Sequence, residues 1–335
     1  MTTLAKIAEE TGVTVSLVSK VLNGKNNSWV SEATKARILD TAERLKYHPN
    51  TLARGLALGR TNEVGLSLAN PFSSYNVKIM QAVTSACAQY GLDVALYLIK
   101  MRGVKETDII RKLVARRVDG LITLIAGRRD LCRLIGPAGA TFPMVCLTMI
   151  PDPETPSVGF DRYHDSWCAA NHLLEQGYRR IAYVNVGGNK PNLLKVSGMM
   201  DVLKKRNLTP MVYDALDYDE LTGSTNVAEQ ILETKPRPDA IMASSDDVLL
   251  NIYSFLKQKG ISIPGKMGFM GLMGVDEMER TDIPISTMQR PVQEMCERGM
   301  EILAEQMKNG VNGKVHQENV KAKLIVRSST MRKKT

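Results

Sequence analysis

Residues 1–25 read MTTLAKIAEETGVTVSLVSKVLNGK, and this stretch decides how the whole chain is read. Leu4, Ile7 and Ala8 recur at helical spacing and form one apolar stripe. Gly12 supplies a tight turn that a residue with a β-carbon resists. Thr14 is of the type that caps a helix N-terminus. Val18, Val21 and Leu22 then make the buried stripe of a second helix, which Asn23-Gly24 ends because both residues tolerate left-handed backbone. The outer side of that helix keeps Val15, Ser16, Ser19 and Lys20, a small and polar face. Two short helices meeting at a glycine turn, with such a face on the second, make a helix-turn-helix. In that motif the second helix enters the major groove of DNA and its first residues touch base edges. Lys20 suits guanine O6 and N7, Ser16 bonds to several bases, and Val15 suits a thymine methyl. A plain helical hairpin with a solvated face would explain the stripes. It would not explain why turn, cap, small face and following helix all agree.

A third helix follows. Ser31-Glu32-Ala33-Thr34 opens it with a serine cap, and Ile38, Leu39, Ala42 and Leu45 form its apolar face. Lys35 and Arg37 face outward as phosphate contacts. Pro49 predicts that this helix ends at His48. Residues 50–58 have helical character, but the segment is short, contains Gly55 and stops at Gly59. A helix of that length is marginal alone in water.

The chain has 335 residues, too many for one typical domain, and its 44% apolar content supports a substantial core. Of the net charge of +9, residues 1–60 carry +4 and the far longer remainder only +5. Charge is therefore concentrated in the small N-terminal part, which suits phosphate contact. The five cysteines, Cys87, Cys132, Cys146, Cys168 and Cys296, are scattered without a CxxC pair, which argues against a disulfide framework or a zinc site. No apolar run reaches membrane-spanning length and the N-terminus lacks a signal-peptide core, so a cytoplasmic protein is expected.

From about Asn62 the pattern alternates between apolar strands and helices. Strands are predicted over 64–69, 93–99, 119–125 and 144–148. A second set, beginning after residues 157–161, has strands over 181–184, 239–243 and 267–271. Helices are predicted near 78–90, 108–116, 164–176, 194–206, 224–234 and 247–259. Such alternation means parallel sheets covered by helices on both faces, here two α/β subdomains with a cleft between them. The predicted fold is thus an all-α helix-turn-helix head over residues 1–49, a linker over 50–60, and an α/β core of two parallel-sheet subdomains over 61–335. Ligands of such sheets bind outside the carboxyl ends of the strands, in the loops that follow them.

The sequence resembles the lac repressor and galactose repressor family of bacterial transcription regulators. The resemblance is carried by Leu4, Ile7-Ala8, Gly12-Val13-Thr14, Val18 to Gly24, Val30-Ser31, Thr34, Arg37, Leu45, Tyr47, Pro49-Asn50, Leu52-Ala53-Arg54 and Leu56, and it runs on to Val326 through Thr330. It implies a periplasmic-binding-protein-like core and a homodimer that represses transcription from a palindromic double-stranded operator under control of a small-molecule effector. It also implies that residues 50–58 are a hinge helix that orders on the operator, with Leu56 as a minor-groove wedge. A plain flexible linker is the other reading of this segment. The DNA-contacting set is then Thr14, Val15, Ser16, Ser19, Lys20, Asn23, Lys35, Arg37, Tyr47, Asn50, Ala53, Arg54 and Leu56. Gly55 stands where the family has a bulkier residue.

In the core, Asn70, Ser73, Ser74 and Tyr75 follow the first strand and offer an amide, hydroxyls and a ring, a mix that suits a polyol. Asp161 matches an acidic position of the family, and Arg162 stands where asparagine is usual. Lys195 falls at the family's effector-binding arginine, keeping the charge without the bidentate fork. Ser245-Asp246 stands at an Asn-Asp pair. Leu272-Met273-Gly274 replaces an aromatic and two acids, which removes acceptors used by sugar-binding members and leaves Met273 as a candidate contact. Each has a second reading: Asp161 and Asp246 as helix caps, Lys195 as a solvated helix residue, Ser73 to Tyr75 as turn residues. Arg128 and Arg129, with Lys195, favour an anionic effector such as a phosphorylated sugar. A protein partner on the core is the alternative to a small ligand. Catalysis has no support: residues 260–266 fit GxxxxGK, but Met267 replaces the Ser or Thr that holds Mg²⁺, and neither HExxH nor GxSxG occurs. No cofactor is expected. A C-terminal heptad tract is lacking, so a dimer is expected rather than a tetramer.

Overall fold

The computed structural model describes residues 3–22, 29–48, 55, 59–98, 111–113, 115–124, 127–148, 152–186, 193–215, 220–311 and 315–332. It divides into two compact units, residues 1–61 and 62–335.

The small unit is built from α1 (Leu4–Thr11), α2 (Val15–Leu22) and α3 (Glu32–Arg44). Its caps follow the sequence. Gly12 takes the left-handed φ of 64° that closes α1. The Thr14 hydroxyl accepts the Leu17 N–H at 3.2 Å, and the Ser31 hydroxyl accepts the Thr34 N–H at 3.2 Å. Ile7, Ala8, Val18, Ile38 and Ala42 are buried together as its core. α3 stops earlier than predicted. Lys46 turns left-handed, with φ 47°, and the Tyr47 N–H bonds back to the Ala42 carbonyl at 2.8 Å. The helix therefore ends at Arg44 rather than His48. The predicted helix end at Asn23-Gly24 and the hinge with Asn50, Ala53, Arg54 and Leu56 lie outside the described residues.

The large unit contains two six-stranded sheets. The first holds β1 (Glu63–Leu68), β2 (Asp93–Leu98), β3 (Gly120–Thr123), β4 (Met144–Cys146), β5 (Ser157–Phe160) and β11 (Gln317–Val320), in the order β11-β5-β4-β3-β1-β2, all parallel. The second holds β6 (Ile181–Val186), β7 (Met211–Ala215), β8 (Ala240–Ala243), β9 (Gly268–Gly271), β10 (Ser286–Gln289) and β12 (Lys323–Ile325), in the order β12-β10-β9-β8-β6-β7. It is parallel except for the β10–β12 edge. Strands β3, β5, β8 and β9 are buried along their whole length, the unbroken apolar pattern of a parallel sheet covered on both faces.

Helices α4 (Ser74–Gln89), α5 (Arg128–Ile135), α6 (Ala138–Thr141), α7 (Arg162–Glu175), α8 (Leu193–Lys204), α9 (Glu220–Glu233), α10 (Asp246–Gln258), α11 (Glu277–Arg280) and α12 (Val292–Asn309) cover them. The predicted strands and most predicted helices recur with shifted ends. α5, α12 and the strands β7, β10, β11 and β12 carry no prediction. α12 is the longest described helix, at 18 residues, and buries Val292, Met295, Cys296, Gly299, Met300 and Leu303 at helical spacing. The two subdomains are also not two successive halves of the chain. Each sheet is completed by crossings after β5, after β10 and between β11 and β12.

α7 and α8 pack closely because Gly198 leaves room for backbone. A β-carbon there would run into the Tyr163 carbonyl and the Ser166 hydroxyl, and would lie 2.9 Å from the Trp167 nitrogen. Gly198→Ala is therefore expected to destabilise the core by about 1–3 kcal/mol, read as a lower urea midpoint with an unchanged slope.

Candidate functional site

In the small unit the face of α2 left free by the core is the predicted one. Thr14, Val15, Ser16 and Lys20 are exposed and Ser19 half-buried, while Val18 is fully buried behind them. Arg37 is exposed on α3, and Lys35 is bound to Glu32 at 2.6 Å. Tyr47, half-buried, packs against the head core. Trp29, which the sequence reading passed over, is 69% exposed, and the Lys20 ammonium lies 5.9 Å from its ring centroid. A large aromatic isolated in a polar loop was the signal for it.

In the large unit, strand order reverses between β1 and β3 and again between β6 and β8, and ligands of doubly wound sheets sit at such switch points. The loop after β1 carries Asn70, Ser73, Ser74 and Tyr75. Asn70 has φ 45° and its side-chain oxygen accepts the Phe72 N–H at 3.2 Å, which folds the loop. Ser74 is the half-buried first residue of α4. Ser73 Oγ donates to Asp247 Oδ2 at 2.8 Å, and Lys78 Nζ reaches the Gly274 carbonyl at 2.9 Å and Asp276 at 2.6 Å. These bonds join the first subdomain to the start of α10 and to the loop after β9 in the second. Ser73 is thus engaged across the boundary.

Tyr75 is buried, and its ring centroid lies 5.7 Å from the Arg290 guanidinium. Arg290, directly after β10, also stacks 5.0 Å from Phe160 and pairs with buried Asp165 of α7 at 3.4 Å. Arg162, the first residue of α7, donates to the Thr148 hydroxyl. Lys195 of α8 is 9% exposed, not solvated, and donates to the Ser244 carbonyl at 3.3 Å, at the carboxyl end of β8. The two crossings and the second switch point thus bring Arg162, Lys195 and Arg290 together. Sequence reasoning did not foresee Arg290, because a lone arginine after a strand it had not assigned carries no local signal.

Three predicted ligand contacts carry structural bonds. Asp161 caps α7 by accepting the His164 N–H at 2.9 Å. Asp246 is not a helix cap, a role taken by Ser245. Fully buried, it accepts N–H bonds from Leu272 at 2.9 Å and from Met273 and Val275 at 3.2 Å each, and so shapes the loop after β9. Its oxygens are spent inside the protein, and Met273 is held there through its backbone. Arg128 is buried and donates to the carbonyls of Gly139, at 3.0 Å, and Phe142. It braces α5 and α6 and also donates to Gln306 Oε1 at 3.4 Å.

Residues 3–50 match the model of bacterial regulatory proteins, lacI family, and residues 170–330 match the periplasmic binding protein-like domain. The chain belongs to the lacI family of bacterial regulatory proteins. Similar proteins include the HTH-type transcriptional repressor PurR of Vibrio atlanticus (strain LGP32), 26% identical over 314 residues, covering 92% of this chain and 93% of the relative. The ribose operon repressor of Escherichia coli (strain K12) is 25% identical over 306 residues, covering 90% and 92%. In fold, the chain is similar to the lac repressor dimer bound to operator and the anti-inducer ONPF, with a TM-score of 0.84, 20% identity and 99% of each chain covered. It is also similar to the transcriptional regulator CelR in its cellobiose complex, with a TM-score of 0.69, 22% identity and 98% and 100% covered. As a member of this family the protein is a DNA-binding transcriptional repressor with an effector-binding type of core, and not an enzyme. Among the described residues no helix is long and apolar enough to cross a membrane.

The electrostatics of the core site follow from burial. Lys195 is held well below its ordinary value of 10.5, first by burial and then by the charges of Arg290 and Arg162. Asp165 is raised by burial, with Arg290 opposing. A lysine whose folded pKa is depressed binds fewer protons folded than unfolded, between that depressed value and 10.5. Stability contributed at this site therefore rises with pH through that window and levels off above it. Lys195→Met is expected to abolish this rise. The check is urea unfolding of wild type and variant across mildly acidic to alkaline pH, with the wild type gaining on the variant as pH increases.

Proposed function

We propose that the protein is a homodimeric repressor that reads a palindromic operator with the N-terminal end of α2 and is released from it, or recruited to it, by a small molecule bound in the core. The observation that carries this reading is the exposed face of Thr14, Val15, Ser16 and Lys20 on a rigid, well-capped helix within a segment of net charge +4. A helix so placed can lie in a major groove while Lys35 and Arg37 meet phosphates. Two-fold symmetry in the protein is matched most simply by two-fold symmetry in the DNA. Residues 50–58 act as the hinge in this reading, and they convert an effector-dependent shift between the two core subdomains into a change of operator affinity. The cleft ligand is a carbohydrate or a related metabolite. The protein works in the cytoplasm, where its operator is.

Selection of bound duplexes from a random pool at physiological salt is expected to return a palindrome, whereas a pool without consensus would overturn the reading. On the selected site, Lys20→Ala is expected to cost about 1–3 kcal/mol and relax preference at one base pair per half-site. Arg37→Ala is expected to weaken all sequences alike and to flatten the salt dependence by about one unit of slope. Circular dichroism should show helix gained when the full-length protein meets the operator, and no gain would remove the hinge from the mechanism.

A further inference from the structure

We propose that the effector bears an oxyanion, a phosphate or carboxylate group, and that Arg162 and Lys195 bind it with Arg290 behind them. This deepens the reading of the core as an effector site and rests on it.

The argument is a count of charges and partners. Three cations stand at the junction of the two subdomains: Gly198, one turn beyond Lys195, lies against Tyr163 and Ser166 beside Arg162, and Arg290 pairs with Asp165 and stacks on Phe160. Two buried acids accompany them, Asp165 and Asp246. Asp165 is committed to Arg290 at 3.4 Å. Asp246 spends both oxygens on the backbone of residues 272–275. The neighbouring acids serve elsewhere: Asp161 is exposed and caps α7, and Asp247 accepts from Ser73. Among the described residues, no carboxylate lies within ion-pair distance of Arg162 or Lys195. Among the described residues each has a neutral acceptor, the Thr148 hydroxyl for one and the Ser244 carbonyl for the other.

Buried charge is expensive unless it is paired. Here two cations also face a third, and each weighs against the others. Burial and the charge of Arg290 lower the proton affinity of Arg162, as they do that of Lys195. Arg290, 5% exposed, keeps its Nε without a hydrogen-bond partner. Arg290 has a structural duty in its pair with Asp165, whereas no such pair accounts for the charges of Arg162 and Lys195 among the described residues. A small oxyanion seated between Arg162 and Lys195 supplies what is missing: a negative charge, and acceptors for a planar fork and an ammonium. The position is the carboxyl end of β8 beside the β6–β8 switch point, where this type of sheet holds ligands. A neutral polyol would leave both charges unmatched.

The test uses the full-length protein, its thermal unfolding, and matched probes at constant ionic strength. These are inorganic phosphate against chloride, and ribose 5-phosphate and glucose 6-phosphate against ribose and glucose. The phosphate-bearing probes are expected to raise Tm, with the folded-to-unfolded ratio growing about 100-fold at a concentration near 100 times Kd. Arg162→Asn and Lys195→Met are expected to remove that shift. Without any ligand, Lys195→Met is expected to melt no lower than wild type, because it deletes an unpaired buried charge; a purely structural lysine would make it melt lower. Equal stabilisation by neutral sugars, retained in both variants, overturns the anion and leaves the effector reading standing. No shift from any probe, together with a lower-melting Lys195→Met, overturns both.

Discussion

A parallel strand cannot be paired with its sequence neighbour through a tight hairpin; it needs a crossover that returns the chain to the same end of the sheet. In this protein that constraint is met twice, and the chain passes between the two sheets after β5, after β10 and between β11 and β12. Much of the core follows from it. α12 belongs with the first sheet although its sequence follows the second, and Gly299 lets it lie against Leu147. The crossings also fix which residues stand at the junction: Asp161 and Arg162 at one, Arg290 at another.

Arg290 shows how the junction is held. Its guanidinium stacks over Tyr75 and Phe160 of the first subdomain and pairs with Asp165 of the second. A charge buried this way is stable only while both sets of partners stay in place, so it couples the position of one subdomain to the other. The bonds from Ser73 to Asp247 and from Lys78 to Gly274 and Asp276 add to this coupling at the more exposed rim. Charge near Arg162 and Lys195 therefore acts on the part of the molecule whose geometry a regulator must change. An effector shifts such an equilibrium only by the difference in its affinity for the two arrangements.

The DNA-reading unit obeys different rules. It has few residues and a small core of Ile7, Ala8, Val18, Ile38 and Ala42, so its local signals must be correct for it to hold together. Gly12, Thr14 and Ser31 each do what their residue types favour. Thr14, Val15, Ser16 and Lys20 of the outer side of α2 thereby stay exposed while Val18 is buried behind them.

This contrast explains what was legible. The head could be read from residues 1–48 because caps, turns and a 3.6-residue stripe are local, and so could the strand–helix alternation, because burial on both faces writes an apolar run into each central strand. By itself the sequence determined an α-helical reader joined to a two-sheet α/β core of a known family. Tertiary structure decided the rest. Asp246 proved to hold a loop, Arg128 to brace two helices, and Tyr75 to stack on an arginine some two hundred residues away. The short strands β10, β11 and β12 and the partnership of Arg162, Lys195 and Arg290 exist only through long-range pairing. Whether a buried charge is satisfied depends on groups distant in the chain, and no local pattern in a single sequence records them.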